Sequence, residues 1–371
     1  MLYLAIDQHS KQLTVNLRDE SGEVLIRRQV STRGEATQTF LREVQERSAG
    51  AGGYVAIVEV CGFNDWLLRL LPACGCREVL LVQADQKSNR KTDRRDANTL
   101  GELLWVNRQR LLAGQRVQHL RRVQIVTPQE REERRLTQLR RNTGRELTRT
   151  INAVRNILRR ENLDQHCPTK GIQTVKAKAW LKQLALSALD RLEMDQLLAR
   201  WELVEQQQRA LEAEIARRAG LHSQALLLMT IPGAGAFTAL ALASRAGTIE
   251  RFPRPRSLAN YWGLTPSCRN SGETTGRLGS ITKQGSSLAR FLLGQLVLKV
   301  LRGDSHLRAW YKRIKQRRGS KIARVAVMRR LATIIWHMLS KNQPYQVGGP
   351  PQKKLRRHQL KEPANAAAAT T

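Results

Sequence analysis

The chain has 371 residues, enough for two or three domains, and carries 64 Lys and Arg against 31 Asp and Glu, a formal charge of +33. Such an excess makes a polyanion the default partner, because each cation that neutralises a phosphate releases a condensed counterion. With no apolar run near the ~18 residues of a membrane span, no lipid anchor and no cysteine pair at C-x-x-C spacing, the sequence excludes a membrane protein, a disulfide framework and a zinc knuckle.

From the N-terminus, LYLAID reads as a buried strand because it is continuously apolar. LTVNLRD alternates, turns at Glu20-Ser21-Gly22 and returns as EVLIRRQV, a hairpin signature. Residues 34–47 read as a helix, YVAIVEV as a second buried strand, WLLRLLPAC as a short helix stopped near Gly75, and REVLLVQ as a fifth strand. Residues 85–108 finish in a helix containing Asp93 and Asp96. A hairpin followed by alternating helix and strand is the element order of RNase H-like nucleases, a topological analogy that fixes no function.

From about residue 129 to 218 the texture becomes long, charged and helically periodic, first Arg-rich and then of mixed charge. Cys167-Pro168 and Gly171 interrupt it, which predicts an antiparallel helical hairpin or a coiled coil. Residues 225–340 form a further, mostly helical unit. There Ile231-Pro232-Gly233-Ala234-Gly235 between two apolar runs has the look of a helix–hairpin–helix, whose turn offers N–H groups to a phosphate. The stretch ANYWGLTPSCRNSGETTGRLGSITKQGSS reads as loop, followed by helices at LARFLLGQLVLKVL and KIARVAVMRRLATIIWHML. The tail from Gln343, rich in Pro, Lys, Arg and Ala without periodicity, reads as disordered. The domain reading is therefore 1–125, 126–222, 223–342 and a basic tail 343–371.

Four acids carry the chemistry. Asp7 ends the first strand, Glu59 interrupts the apolar run VAIVEV, where a lone buried charge is costly, and Asp93 and Asp96 lie three apart on one helix face. Any one of them alone fits a cap or a surface charge, and Lys91, Arg94 and Arg95 could pair with the helical two. Together they fit a divalent-metal phosphoryl-transfer site, in which two Mg²⁺ ions ~4 Å apart serve an in-line attack.

These motifs resemble the transposases of the insertion-sequence 110 group with its 1111 branch, the bridge-RNA-guided recombinases. The resemblance rests on Asp7 in AIDQHSK, Glu59 in IVEVCG and Lys91-Thr92-Asp93-x-x-Asp96-Ala97. It continues through Ile231-Pro232-Gly233-x-Gly235, Tyr261-Trp262-Gly263-Leu264-Thr265-Pro266, Asn270-Ser271-Gly272, Thr282-Lys283-x-Gly285 and Met328-Arg329-Arg330-Leu331-Ala332. Val60-Cys61 and Glu273 depart from the small residues usual in the group.

The resemblance implies an α/β N-terminal RNase H/RuvC-like domain, a central helical coiled coil and a mostly α C-terminal transposase domain with a helix–hairpin–helix-like motif. It implies that Asp7, Glu59, Asp93 and Asp96 hold Mg²⁺ (or Mn²⁺), and that Ser271 attacks a DNA phosphodiester to give a phosphoserine link. The partners implied are donor and target double-stranded DNA, a structured bridge-type RNA encoded beside the gene, and further copies of the chain as a dimer or tetramer. Location would be cytoplasmic, at the nucleoid. Aromatic residues make up only 5% of the chain, which fits backbone grip better than base stacking. The alternatives are a metal-dependent junction resolvase that uses water as nucleophile, and a non-catalytic architectural or RNA-binding protein.

Overall fold

The computed structural model describes residues 1–84, 93–118, 120–268 and 278–350. The chain divides into two compact units, Met1–Ile125 and the chain from Val126 onward.

The first unit is built on a six-stranded mixed sheet. Strands β1 (Leu2–Gln8), β2 (Gln12–Arg18) and β3 (Val24–Ser31) form the expected antiparallel meander, followed by helix α1 (Ala36–Ser48). Strand β4 (Tyr54–Glu59), helix α2 (Asp65–Ala73) and strand β5 (Cys76–Ala84) come next, then helices α3 (Asp93–Val106) and α4 (Arg108–Leu112). Strand β6 (Leu120–Arg122) closes the sheet, whose order is β3-β2-β1-β4-β5-β6. β4 runs parallel to both β1 and β5, while β6 is antiparallel to β5. That order is compatible with an RNase H-like arrangement.

β1 is buried along its whole length because both faces of the sheet are covered. Leu4, Ile6, Val15 and Val58 pack with Phe40 and Leu41 of α1 and Leu67 and Leu71 of α2. Tyr3, Ala5, Val55 and Ile57 pack with Leu100 and Leu104 of α3 and Leu111 of α4. Gly101 is what lets α3 lie close: a Cβ there would stand 2.7 Å from Asn16 Oδ1 and 3.5 Å from the Ala5 side chain. The edge strand β3 is largely exposed and carries Arg27 and Arg28, charges that discourage strand addition.

The second unit opens with α5 (Pro128–Arg160), which starts on a capping box: Thr127 Oγ1 accepts from Glu130 N, and Glu130 Oε2 accepts from Thr127 N. After the short α6 (Val175–Gln183), α7 (Ala188–Leu221) returns antiparallel to α5. Ion pairs fix the direction: Arg160 with Asp190, Arg140 with Glu212, Arg218 with Glu132. The end far from the chain's C-terminal helices has its own core, in which Val154, Ile157 and Leu158 meet Leu181, Met194 and Trp201.

Helices α8 (Ser223–Met229), α9 (Ala236–Ala246) and α10 (Pro255–Tyr261) follow. Then come strands β7 (Pro266–Cys268) and β8 (Leu278–Ile281), and helices α11 (Ser287–Gly303) and α12 (Ser305–Lys341). Their apolar faces share one core around Trp262, Leu293, Leu331 and Ile335. α12 breaks at Gly319, where φ is 79° and ψ 166°.

Two expectations need correction. The stretch read as loop contains the end of α10 and the antiparallel pair β7–β8, whose strands are too short to show a period in sequence. The tail read as disordered from Gln343 packs instead as far as residue 350. Asp304, fully buried at the start of α12, accepts hydrogen bonds from Leu307 N (2.8 Å), Tyr345 Oη (2.6 Å) and Gly348 N (2.7 Å). A buried carboxylate demands donors, and residues 345–348 supply them.

Candidate active site

Strand alternation decides where the acids go. On β1, Tyr3 and Ala5 face α3, so Asp7 faces it too; on β4, Val55 and Ile57 face α3, so Glu59 does as well. The last registered pair of the two parallel strands is Ile6 with Val58. Asp7 and Glu59 therefore stand next to each other one residue further on, at the carboxyl ends of adjacent strands.

Helix α3 runs back along β1. Its Asn98 bonds to Asn16, the cross-strand partner of Ala5, while Trp105 further on donates to Glu20 O beyond the opposite end of β2. Its first turn, with Asp93 and Asp96, hence lies at the Asp7 end of the sheet. The side chains of Asp93 and Asp96 lie outside the described residues, as does Ser271 altogether, between β7 and β8.

Asp7 is 9% exposed, and its Oδ2 lies 3.0 Å from His9 Nε2. Burial, with the charges of Asp7 and Glu59 adding to it, pushes the Cys61 thiol above its ordinary range. The negative field of the two acids thus reaches the loop that follows β4.

That loop is clamped by residues with no motif in the sequence. Asn64 Nδ2 donates to Gln8 Oε1 (2.9 Å) and to Glu59 O (3.1 Å), its Oδ1 accepts from Cys61 N, and Gln8 Nε2 donates to Phe63 O (3.0 Å). The clamp ties the ends of β1 and β4 together on the face opposite Asp7. Asn64 occupies the N-cap position of α2, but its side chain turns back to the loop instead of capping the helix.

Two neighbouring carboxylates suit a hard divalent cation, which prefers oxygen ligands. Among the described residues no group of three or more His, Cys, Asp or Glu is placed to hold a metal ion. Asp7 and Glu59 offer part of a donor set, and the first turn of α3 carries the residues that could extend it.

Two family models match the chain: a transposase model of the DEDD type over residues 4–162, and the transposase IS116/IS110/IS902 family over residues 225–312. The transposase for insertion sequence element IS1111A of Coxiella burnetii is 27% identical over 344 residues, 89% of this chain and 87% of that protein. A probable family 20 transposase of Pseudomonas aeruginosa is 32% identical over 37% of this chain and 44% of its own length. A pilin gene-inverting protein of Moraxella bovis is 32% identical over 34% of this chain and 39% of its own length. No helix of the described residues is long and apolar enough to cross a membrane. The chain carries transposase domains of the IS110/IS116/IS902 family and is an enzyme that acts on DNA.

Proposed function

We propose that the protein excises and inserts a mobile insertion sequence by transesterification at DNA phosphodiesters. The observation that carries this is the register that sets Asp7 and Glu59 side by side on the α3 face, at the end where α3 begins. In this reading residues 1–125 are a RuvC-like nuclease domain in which Asp7, Glu59, Asp93 and Asp96 hold Mg²⁺ or Mn²⁺. Residues 126–222 form the helical region and 223–342 the transposase domain. The bound metal supplies Lewis acidity toward the phosphodiester.

Ser271 Oγ attacks phosphorus and gives its proton to a base, while the P–O bond to the neighbouring nucleotide breaks and the leaving oxygen takes up a proton to become a free hydroxyl. The phosphoserine conserves the bond for rejoining. The Pro232–Gly235 turn, which joins α8 to α9, presents the glycine-rich turn of a helix–hairpin–helix. Gly233, at φ 83°, is packed so closely on Lys299 that a Cβ would meet its Cβ at 2.3 Å.

Cationic grip comes from unit two. No carboxylate occurs between Asp304 and Glu362, a span that includes all of α12. On α5, Arg145, Arg149 and Arg155 make no ion pair with a described residue. Such grip is independent of sequence, so a structured RNA that pairs with donor and target DNA would supply site choice. Self-association is supported by α7, where Leu189, Leu192, Ala199 and Leu203 are exposed at spacings of three, seven and four along the helix. The site of action is the nucleoid in the cytoplasm.

The test is a denaturing gel of protein incubated with element-end DNA and Mg²⁺. A covalent adduct lost in Ser271→Ala is expected; cleavage without any adduct in the unaltered protein would instead assign water as the nucleophile. Sequencing of co-purified RNA tests the guide: an active preparation without element-derived RNA overturns that part.

A further inference from the structure

Beside the acids, the same sheet face holds a cavity of about 310 Å³ whose walls come from β2, β3 and the start of α3. Register explains its chemistry. Thr14 is the cross-strand partner of Asp7, and Gln29 is the partner of Thr14, so Glu59, Asp7, Thr14 and Gln29 form one row across four strands. The next row is Ala5, Asn16 and Arg27.

Every polar group at this cavity can donate. The Thr14 hydroxyl is 3% exposed and has no hydrogen-bond partner, a state buried polar groups rarely keep. Asn98 Oδ1 already accepts from Asn16 Nδ2 at 2.7 Å, which leaves the Asn98 amide hydrogens for another group. Arg27 has no carboxylate within ion-pairing distance among the described residues, whereas Arg28, which also borders the cavity, has its guanidinium held by Glu43 and the Phe40 ring. No Asp or Glu among the described residues lines the cavity. A guanidinium without a described carboxylate partner, beside an unpaired hydroxyl and two amide groups that can donate, favours an anionic oxygen ligand.

We infer that this cavity seats a backbone phosphate of the DNA strand being cut, next to the phosphodiester that reacts at Asp7 and Glu59. Thr14, Gln29, Arg27 and Asn98 are then positioning residues. Neighbouring strands lie about 4.8 Å apart and stacked nucleotides rise about 3.4 Å. A phosphate over Thr14 and Gln29 is thus one or two nucleotides from the reacting one. The inference rests on the proposed role of the acids, which a separate variant tests.

The experiment uses the full chain with its co-purified nucleic acid, Mg²⁺, and synthetic element-end duplexes. Each duplex bears a single neutral methylphosphonate, walked along the cut strand. The unaltered protein should lose cleavage about tenfold to a hundredfold at one position beside the cut. Arg27→Gln, at an exposed position that leaves folding intact, and Thr14→Val, which keeps the shape of a buried side chain, should each slow cleavage of the natural strand. Both should also become indifferent to the methylphosphonate at that one position. If both variants retain the full penalty there, the subsite is wrong, whatever their absolute rates. If Asp7→Asn cleaves at the unaltered rate, the reading of the acids fails instead, and with it the reason to seek a neighbouring phosphate.

Discussion

On helix α7 the carboxylates are joined to cations within the unit: Asp190 with Arg160, Glu205 with Lys178, Glu212 with Arg140, Glu214 with Arg217 and Arg218. In the sheet unit Asp7 and Glu59 stand at the ends of neighbouring parallel strands, and the cation described beside Asp7 is the nearby His9. The helical acids are structural and set the register of a long antiparallel pair. Among the described residues the sheet acids tie no two elements together in that way: the partner described for Asp7 is His9, two residues along the chain, and under the proposed function the pair serves a cation and a phosphate instead.

The comparison breaks most clearly at Asp7. Asp7→Asn should cut excision by on the order of a thousandfold while leaving the melting temperature nearly unchanged, because repulsion from Glu59 and the contact with His9 are lost together. A parallel loss of folding would assign Asp7 to the structure instead. Excision from a reporter plasmid and thermal melting of the same preparations decide it.

Asp304 is a carboxylate in the second unit held by backbone and phenol donors. Asp304→Ala should cost about 3 kcal/mol, by leaving Leu307 N, Tyr345 Oη and Gly348 N without their acceptor. Burial by itself would raise its pKa, but these hydrogen bonds outweigh it and hold the carboxyl below its ordinary value. A depressed carboxylate stabilises the fold above its unfolded pKa, and that stability is lost as pH falls through the folded value. Denaturant unfolding should therefore show the gap between unaltered protein and Asp304→Ala closing as pH drops from about 4 downward.

Asn64→Ala should cost about 1–2 kcal/mol in stability and about tenfold in cleavage rate, since it frees the loop behind Glu59 without touching either acid. Rate loss with an unchanged substrate KM would sharpen its role as a positioning residue; unaltered cleavage would remove it from the site. The smallest effect belongs to the helical pair. Glu212→Gln should cost less than about 1 kcal/mol at low salt and nothing measurable in 1 M salt, because the pair with Arg140 is partly exposed and screened.

Much of the first unit was legible in advance because its strands are either continuously apolar or cleanly alternating. Leu2–Gln8 and Tyr54–Glu59 can form nothing else that buries them. Strand β6 escaped notice because Leu120-Arg121-Arg122 has only its leucine buried and its pairing to β5 is long-range. The first half of α12 escaped as well. Its residues Arg308 to Arg318 are charged all round, and its helicity is supported by Leu307, Trp310 and Tyr311 against the shared core.

By itself the sequence determined the partner class, through net charge, and singled out the candidate acids, through their placement in apolar strands and in one helix. Both are one-dimensional properties, since charge sums and alternation has a period of two. Only the tertiary structure decided that Asp7 and Glu59 share a face, that the row continues through Thr14 to Gln29, and that Asn64 locks the loop behind it. Those facts depend on which strands become neighbours and in what register. A one-residue slip would turn each side chain to the other face, and packing over the whole sheet is what forbids it.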